Sequence, residues 1–392
     1  MPKTNYPLMK NNIQRSDLNK VISHLKTNDP ILTSGNKVEL FEKLWSKWLG
    51  VKYSVFLNSG SSANFISLQI LKQKYPNGGE VIVSPLNWIS DIVSIIECGF
   101  KPKFVDINFS NLAADSKLII NTISSKTVAI LLSHIQGFNG LTHDLYNIIQ
   151  KKKIVLIEDV CESHGASFND KKCGTFGLIS NFSFYYAHHL STIEGGMICT
   201  NDKNVYLNAK MFRAHGLLRE SKDKTYISTF KRKYKNLNPD FIFMLSGFNM
   251  RNNEIGAIIG INQLKRLDKM IDKRNKNHLH FLHKIDKTKF KVDFHLKGAS
   301  NYAFNLILIN KDYKLLNNLK SNLKKNNIEF RQGSAGGGNQ LRQPYLKKIF
   351  HSSYHKKFPN TEHIHEFGFY IGNYPSLTFK EINFICKIIN SS

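Results

Sequence analysis

Ile154-Val155-Leu156-Ile157-Glu158-Asp159 runs apolar for four residues and then ends in two carboxylates. A strand apolar on both faces belongs inside a parallel sheet covered by helices. Val81-Ile82-Val83, Lys103-Phe104-Val105 and Val128-Ala129-Ile130-Leu131-Leu132 read the same way, and Tyr53-Ser54-Val55-Phe56-Leu57 is a further strand. After that first strand comes Ser59-Gly60-Ser61-Ser62, then a helix with Phe65, Leu68 and Leu71 on one side. The alternation predicts an α/β fold with a mostly parallel central sheet and helices on both faces. A Lys-rich helical stretch from Gln263 to Asn277 precedes mixed strand and helix patterns. We therefore expect a large domain over residues 1–264 and a smaller α+β domain over residues 265–392.

Composition narrows the class. The 392 residues carry a net charge of +26, with 41% hydrophobic content. Such a charge suits anionic partners in general. Lys and Asn are abundant throughout, however, and no basic stripe interleaved with aromatics marks a nucleic-acid surface. No long uncharged apolar run suggests a membrane span, and Met1-Pro2-Lys3-Thr4-Asn5 does not open a signal peptide. The five cysteines are scattered without a CxxC pair, which argues against structural zinc or a disulfide framework. We expect a cytoplasmic enzyme with no metal site.

In sheets of this kind ligands bind at the carboxyl ends of the strands, and several polar motifs fall there. Ser59-Gly60-Ser61-Ser62-Ala63-Asn64 links a strand to a helix, a place where free amides cradle phosphate or where a serine merely caps the helix. Asp159 ends the most hydrophobic strand; it could hold a ring nitrogen protonated or cap the next helix. Asn181-Phe182-Ser183-Phe184-Tyr185-Tyr186-Ala187-His188-His189-Leu190 leads into Glu194-Gly195-Gly196-Met197.

The order SGSSAN, EDVCESHGA, GTFG, SFYYAHH, EGGM, RAHG, GFNMR and INQL, from about residue 30 to 265, resembles the sugar aminotransferase branch of the fold type I pyridoxal-phosphate enzymes. The likeness fades in the C-terminal third. In that branch, the fifth position after the serine of the SFY motif is the lysine that binds pyridoxal phosphate. Here it is His188, and no lysine lies between Lys172 and Lys203. Imidazole cannot form a Schiff base, so the cofactor should be held non-covalently, as pyridoxamine phosphate. The substitution resembles that of the nucleotide-sugar 3-dehydratases. One kind acts on CDP-sugars and carries an iron–sulfur cluster bound by cysteines in its C-terminal half. The other, the GDP-4-keto-6-deoxymannose 3-dehydratase type of the colitose pathway, has none. Only Cys386 lies beyond residue 199, so a four-cysteine cluster cannot form there, and we expect the GDP type without a cluster.

The resemblance implies roles. His188 would be the base, since imidazole ionises near neutral pH; the alternative is a packed histidine, and His189 is left between the two. Asp159 would pair with the pyridine nitrogen and Glu162 would lie near the phenolic oxygen. Trp88 would stack on the ring unless it is core, and Gly60, Ser61 and Ser183 would hold the phosphate. His215 would lie on the substrate side. Asn249 and Arg251 would reach the neighbouring subunit of a homodimer with shared active sites, or form a turn in their own chain. Arg331, followed by Ala335-Gly336-Gly337-Gly338, either shapes the sugar pocket or belongs to a plain connection. The implied partners are a GDP-linked 4-keto-6-deoxy sugar, mannose or heptose type, and L-glutamate as amino donor. The product would be a 3,6-dideoxy-4-keto sugar for surface polysaccharide. A 4-aminotransferase using another lysine, and a non-catalytic nucleotide-sugar-binding relative, are the competing readings.

Overall fold

The computed structural model describes residues 6–392, so the signal-peptide reading at Met1–Asn5 lies outside the described residues. Helices α1 (Arg15–Leu25) and α2 (Asn36–Leu49) lead to β1 (Tyr53–Leu57) and α3 (Gly60–Lys74). There follow β2 (Glu80–Val83), α4 (Ile89–Glu97), β3 (Lys101–Phe104), β4 (Thr127–Ser133) and β5 (Val155–Asp159). A small hairpin, β6 (Ser167–Phe168) and β7 (Lys171–Lys172), precedes β8 (Ile179–Ser183) and β9 (Gly196–Thr200). The seven-stranded sheet has the order β1-β9-β8-β5-β4-β2-β3. Its pairings are parallel except for β9, which runs antiparallel to both β1 and β8.

The stretch that suggested the fold lies at the centre of this sheet. Every residue of β5 is buried, with β4 on one side and β8 on the other. Leu156 packs with Phe41, Trp45, Ile130, Leu132 and Phe182, whereas Ile157 packs with Leu68, Ile92, Ala129 and Leu131. Successive side chains thus enter two different cores, as a strand sandwiched between helical layers requires. Each fully buried Ile or Leu contributes roughly 1.5–3 kcal/mol, so a charge at Ile157 would break the sheet from within.

Two details differ from the sequence reading. The third strand begins at Lys101, and Lys101 and Lys103 are exposed because β3 is the sheet's edge. Charged edge residues discourage pairing with other chains. In addition, β8 and β9 are fully buried strands.

The C-terminal region forms a second sheet of β10 (Ala303–Ile307), β11 (Phe330–Gln332) and β12 (Gly368–Gly372), antiparallel in the order β10-β12-β11. The helix Leu267–Lys284 packs on it through Phe281, whose ring stacks on Phe304 at 4.5 Å. We keep the domain division proposed at 264/265, with Met9, Ile107 and Phe138 reaching across it into the second core. Met9 belongs to an N-terminal strap: Tyr6 bridges to Ile328, the Leu8 amide donates to Glu329 Oε2 at 2.9 Å, and Asn12 Nδ2 donates to the His188 carbonyl at 2.8 Å. No helix among the described residues is long and apolar enough to cross a membrane.

Candidate active site

A cavity of about 570 Å³ opens where the carboxyl ends of β1, β4, β5 and β8 meet the second sheet. Gly60, Ser61, Trp88, Asp159, Glu162, Ser183, His188 and Arg331 all line it. Its floor is made by α3. Ser59 caps that helix, its Oγ accepting from the Ser62 amide at 3.0 Å, which leaves the N-terminal turn at Gly60 and Ser61 facing the cavity. Gly60 is required there, because a Cβ would lie 2.6 Å from the Cβ of Ser183. Backbone amides, a helix N-terminus and the Ser183 hydroxyl together form an anion cradle.

Asp159 enters from the end of β5. Its Oδ1 accepts from the Cys161 amide at 2.8 Å and its Oδ2 from Asn64 Nδ2 at 2.9 Å. Its neighbour Glu158 points into the sheet's interior and accepts from the amides of Gly174, Phe176 and Gly177. His134 donates to Glu158 across 3.3 Å while its Nδ1 accepts from the Gly140 amide. Glu158 is therefore a fastener for the loop before β8, and Asp159 alone turns to the cavity. Trp88 stands at the start of α4 and is 55% exposed, which excludes the core reading and leaves a flat ring at the cavity wall.

Glu162 accepts from the Gln136 amide at 3.0 Å. Burial, reinforced by the charge of Asp159 and opposed by that amide, pushes its carboxyl up to about 7. His188 is held by the turn in which its amide donates to the Tyr185 carbonyl, 3.0 Å away. Its Nδ1 has no hydrogen-bond partner. Burial pushes the imidazole down to about 4, with Asp159 acting in the opposite direction and Arg274 reinforcing the fall. The ring is thus neutral near pH 7, as a base must be. Its neighbour His189 is packed instead, with Nε2 3.1 Å from the Ser300 carbonyl and 3.2 Å from the Ser300 hydroxyl. No lysine lines the cavity among the described residues.

The second sheet closes the far side. Arg331 on β11 pairs in register with Tyr370 on β12, and both line the cavity with Glu329 and Tyr302. The glycine-rich loop is more than a connection. Ala335 and Gly336 face the cavity, and Gly336, at φ +56°, sits so close to Asn87 that a Cβ would lie 2.0 Å from its carbonyl oxygen.

Three expected residues lie elsewhere. His215 (φ +59°) and Asn249 are exposed, Ala214 bridges to Asn249, and Leu57 bridges to Arg251. Arg251 Nη1 approaches Glu220 at 3.9 Å. None of the three lines the cavity of its own chain.

Residues 11–390 match the model of the DegT/DnrJ/EryC1/StrS aminotransferase family. The chain belongs to this family. A DegT/DnrJ/EryC1/StrS member from Escherichia coli O55:H7, GDP-4-keto-6-deoxy-D-mannose 3-dehydratase, is 32% identical over 390 residues, 98% of this chain and 99% of that one. The solved E. coli GDP-4-keto-6-deoxy-D-mannose-3-dehydratase with bound hydrated PLP superposes with a TM-score of 0.89 at 32% identity, covering 98% of this chain and 99% of that one. A structure of GDP-4-keto-6-deoxymannose-3-dehydratase with a trapped PLP-glutamate geminal diamine gives a TM-score of 0.87 at 32% identity, covering 98% and 100%. The fold type I architecture expected from the sequence is the one observed.

Sequence reading passed over several groups that the family fold brings to the cavity or to Asp159. Tyr302, Glu329 and Tyr370 come from the C-terminal third, where the motifs fade. Asp91 and Asn64 lie just behind Asp159. For Asp91 one signal was available: a carboxylate three residues after Trp88, at the start of the apolar run Ile92-Val93-Ser94-Ile95-Ile96.

Proposed function

We propose that this chain removes the C3 hydroxyl of a GDP-linked 4-keto-6-deoxy sugar, using pyridoxamine phosphate that L-glutamate regenerates. One observation carries the reading: at the cavity position where the family's aminotransferases place lysine stands His188, and no described lysine replaces it. Near-full-length similarity to a GDP-4-keto-6-deoxy-D-mannose 3-dehydratase supports the same substrate class.

The residues present fit the cofactor. Gly60, Ser61 and Ser183 would hold its phosphate, Trp88 would cover its ring, Asp159 would keep the ring nitrogen protonated, and Glu162 would face the phenolic oxygen. When bound, the cofactor supplies an amine for the sugar ketone and a ring that accepts electrons. His188, neutral in its buried setting, takes the proton whose removal drives elimination, then returns it to the departing hydroxyl. Arg331 and Tyr370 orient the sugar from the second sheet. His215 and Asn249, both exposed, and Arg251, half-buried, lie outside the cavity of their own chain and complete the site of the partner in a homodimer. With no lysine to finish amino transfer, nitrogen leaves as ammonia and the sugar stays a ketone.

The test is a nitrogen balance. With GDP-4-keto-6-deoxymannose and L-glutamate, 2-oxoglutarate and ammonia should appear in equal amounts, and mass spectrometry should show a 3-deoxy ketone one oxygen lighter than substrate. A 4-amino sugar with its C3 hydroxyl intact would instead make the chain an aminotransferase. No turnover of any keto sugar that binds would make it a non-catalytic relative.

A further inference from the structure

Asp91 is a carboxyl group that the proposed reaction leaves unused and that water does not reach. It lies in the first turn of α4 and meets Asp159 behind the cavity wall. One amide nitrogen joins the two: Asn64 Nδ2 is 2.5 Å from Asp91 Oδ1 and 2.9 Å from Asp159 Oδ2. The other end of that amide is engaged as well: Asn64 Oδ1 accepts from Asn181 Nδ2 at 2.8 Å, and Asn181 Oδ1 accepts from Ser67 at 2.7 Å. Ser133 Oγ donates to the other oxygen of Asp91 at 2.7 Å. The titratable groups that sense Asp91 are Asp159, Cys161 and Tyr345, none of them a cation.

Two buried carboxyl groups in contact, with no cation between them, cannot both stay ionised. Asp159 faces the cavity, where it accepts from two N–H groups. Asp91 is fully enclosed, and dehydration, followed by the charge of Asp159, pushes it well above the usual carboxylate range. The proton therefore belongs on Asp91. We propose that Asp91 and Asp159 form a one-proton dyad in which Asp91 is a positioning residue, its O–H donating to Asp159 and fixing a single negative charge on the carboxylate that faces the cofactor's ring nitrogen. This rests on the assignment of Asp159 to that nitrogen. The dyad matches one positive ring nitrogen with one negative charge. A doubly ionised pair would leave a net charge buried, which is costly. The O–H from Asp91 also stabilises the charge on Asp159, so that a proton on the ring nitrogen remains there.

Pyridoxal phosphate labelled with 15N in its ring gives a readout independent of turnover, in the wild-type enzyme and in Asp91→Asn, Asp91→Ala and Asp159→Asn. Asparagine keeps an N–H donor and no charge, so D91N should hold the wild-type 15N shift and bind cofactor within about threefold. D91A should move the shift toward neutral pyridine and weaken binding about tenfold or more. Infrared spectra at pH 9 should show a protonated carboxyl band in the wild type that D91N lacks. The dyad is wrong if D91N, folded, behaves as D91A does, if D91A leaves the shift unchanged, or if the wild-type band is missing. A D159N enzyme with the wild-type 15N shift would overturn the underlying assignment of Asp159. A shift that moves in D159N and not in D91A would overturn the dyad alone.

Discussion

Gly60 and Ser183 touch backbone to side chain: a Cβ on Gly60 would stand 2.6 Å from the Cβ of Ser183 and 3.1 Å from Cys161 Sγ. The first turn of α3 and the end of β8 are thus pressed together at the cavity floor. Gly60→Ala must push the two apart and spoil the anion cradle. We expect cofactor affinity to fall about tenfold or more with little change in melting temperature, read by ultrafiltration and fluorescence. Unchanged affinity would remove Gly60 and Ser183 from the phosphate site.

His188→Asn keeps the side chain's polarity and removes the base. Cofactor and sugar should still bind, while dehydration falls by about two orders of magnitude or more. Borohydride should fix no cofactor to the wild-type chain and should fix it to His188→Lys. Because burial holds the imidazole down near 4, its NMR resonances should not titrate between pH 5.5 and 8 in the free enzyme. A titration at the ordinary value near 6.5 would place His188 in open water rather than in a dry site.

Glu162 makes the opposite contribution to pH dependence. Its folded value, about 7, exceeds the unperturbed 4.5, so across that interval the folded chain binds more protons than the unfolded one. Its contribution to stability is therefore complete below pH 4.5 and lost as pH rises through 7. Glu162→Gln should remove this loss, making the apo variant more stable than wild type at pH 8.5 by about 1–3 kcal/mol. Denaturant unfolding at pH 5 and pH 8.5 would show it; equal differences at both pH values would refute it.

Gly336 ties the second sheet to the loop that presents Trp88, through its contact with the Asn87 carbonyl. Gly336→Ala carries both a clash and a left-handed backbone. We expect KM for the nucleotide sugar to rise more than kcat falls, since the change deforms a wall of the cavity and spares His188. Steady-state kinetics with the sugar varied would separate the two.

What was legible in the sequence follows the physics of each element. Runs such as Ile154–Ile157 announce themselves because both faces of the strand are apolar. By contrast, β8 contains Asn181 and Ser183, and a buried asparagine looks like a loop residue until Ser67 and Asn64 are seen to satisfy its amide. His188 was legible because the resemblance fixes its position on one tightly spaced turn. The second sheet was harder to read, since Arg331 and Tyr370 become neighbours only through register across β11 and β12, with 38 residues of sequence between them. The same holds for Asp91 on α4, whose partner Asp159 lies far along the chain at the end of β5 and whose meaning comes entirely from that contact.

Asn249 and Arg251 raise the last question, because they lie outside the cavity of their own chain yet beside β1, through the bridge of Arg251 to Leu57. If they complete a partner's site, each active site takes His188 from one chain and Arg251 from the other. His188→Asn and Arg251→Ala should then each be nearly inactive alone. Mixed by co-expression in equal amounts, half the dimers are hybrid, and each hybrid has one site carrying both defects and one carrying neither. About a quarter of wild-type activity should therefore return. If Arg251 acts within its own chain, every site in the mixture still carries one defect and no activity returns. Recovery near a quarter, with subunit exchange verified by mass, establishes shared sites; no recovery from verified hybrids places Arg251 in its own subunit.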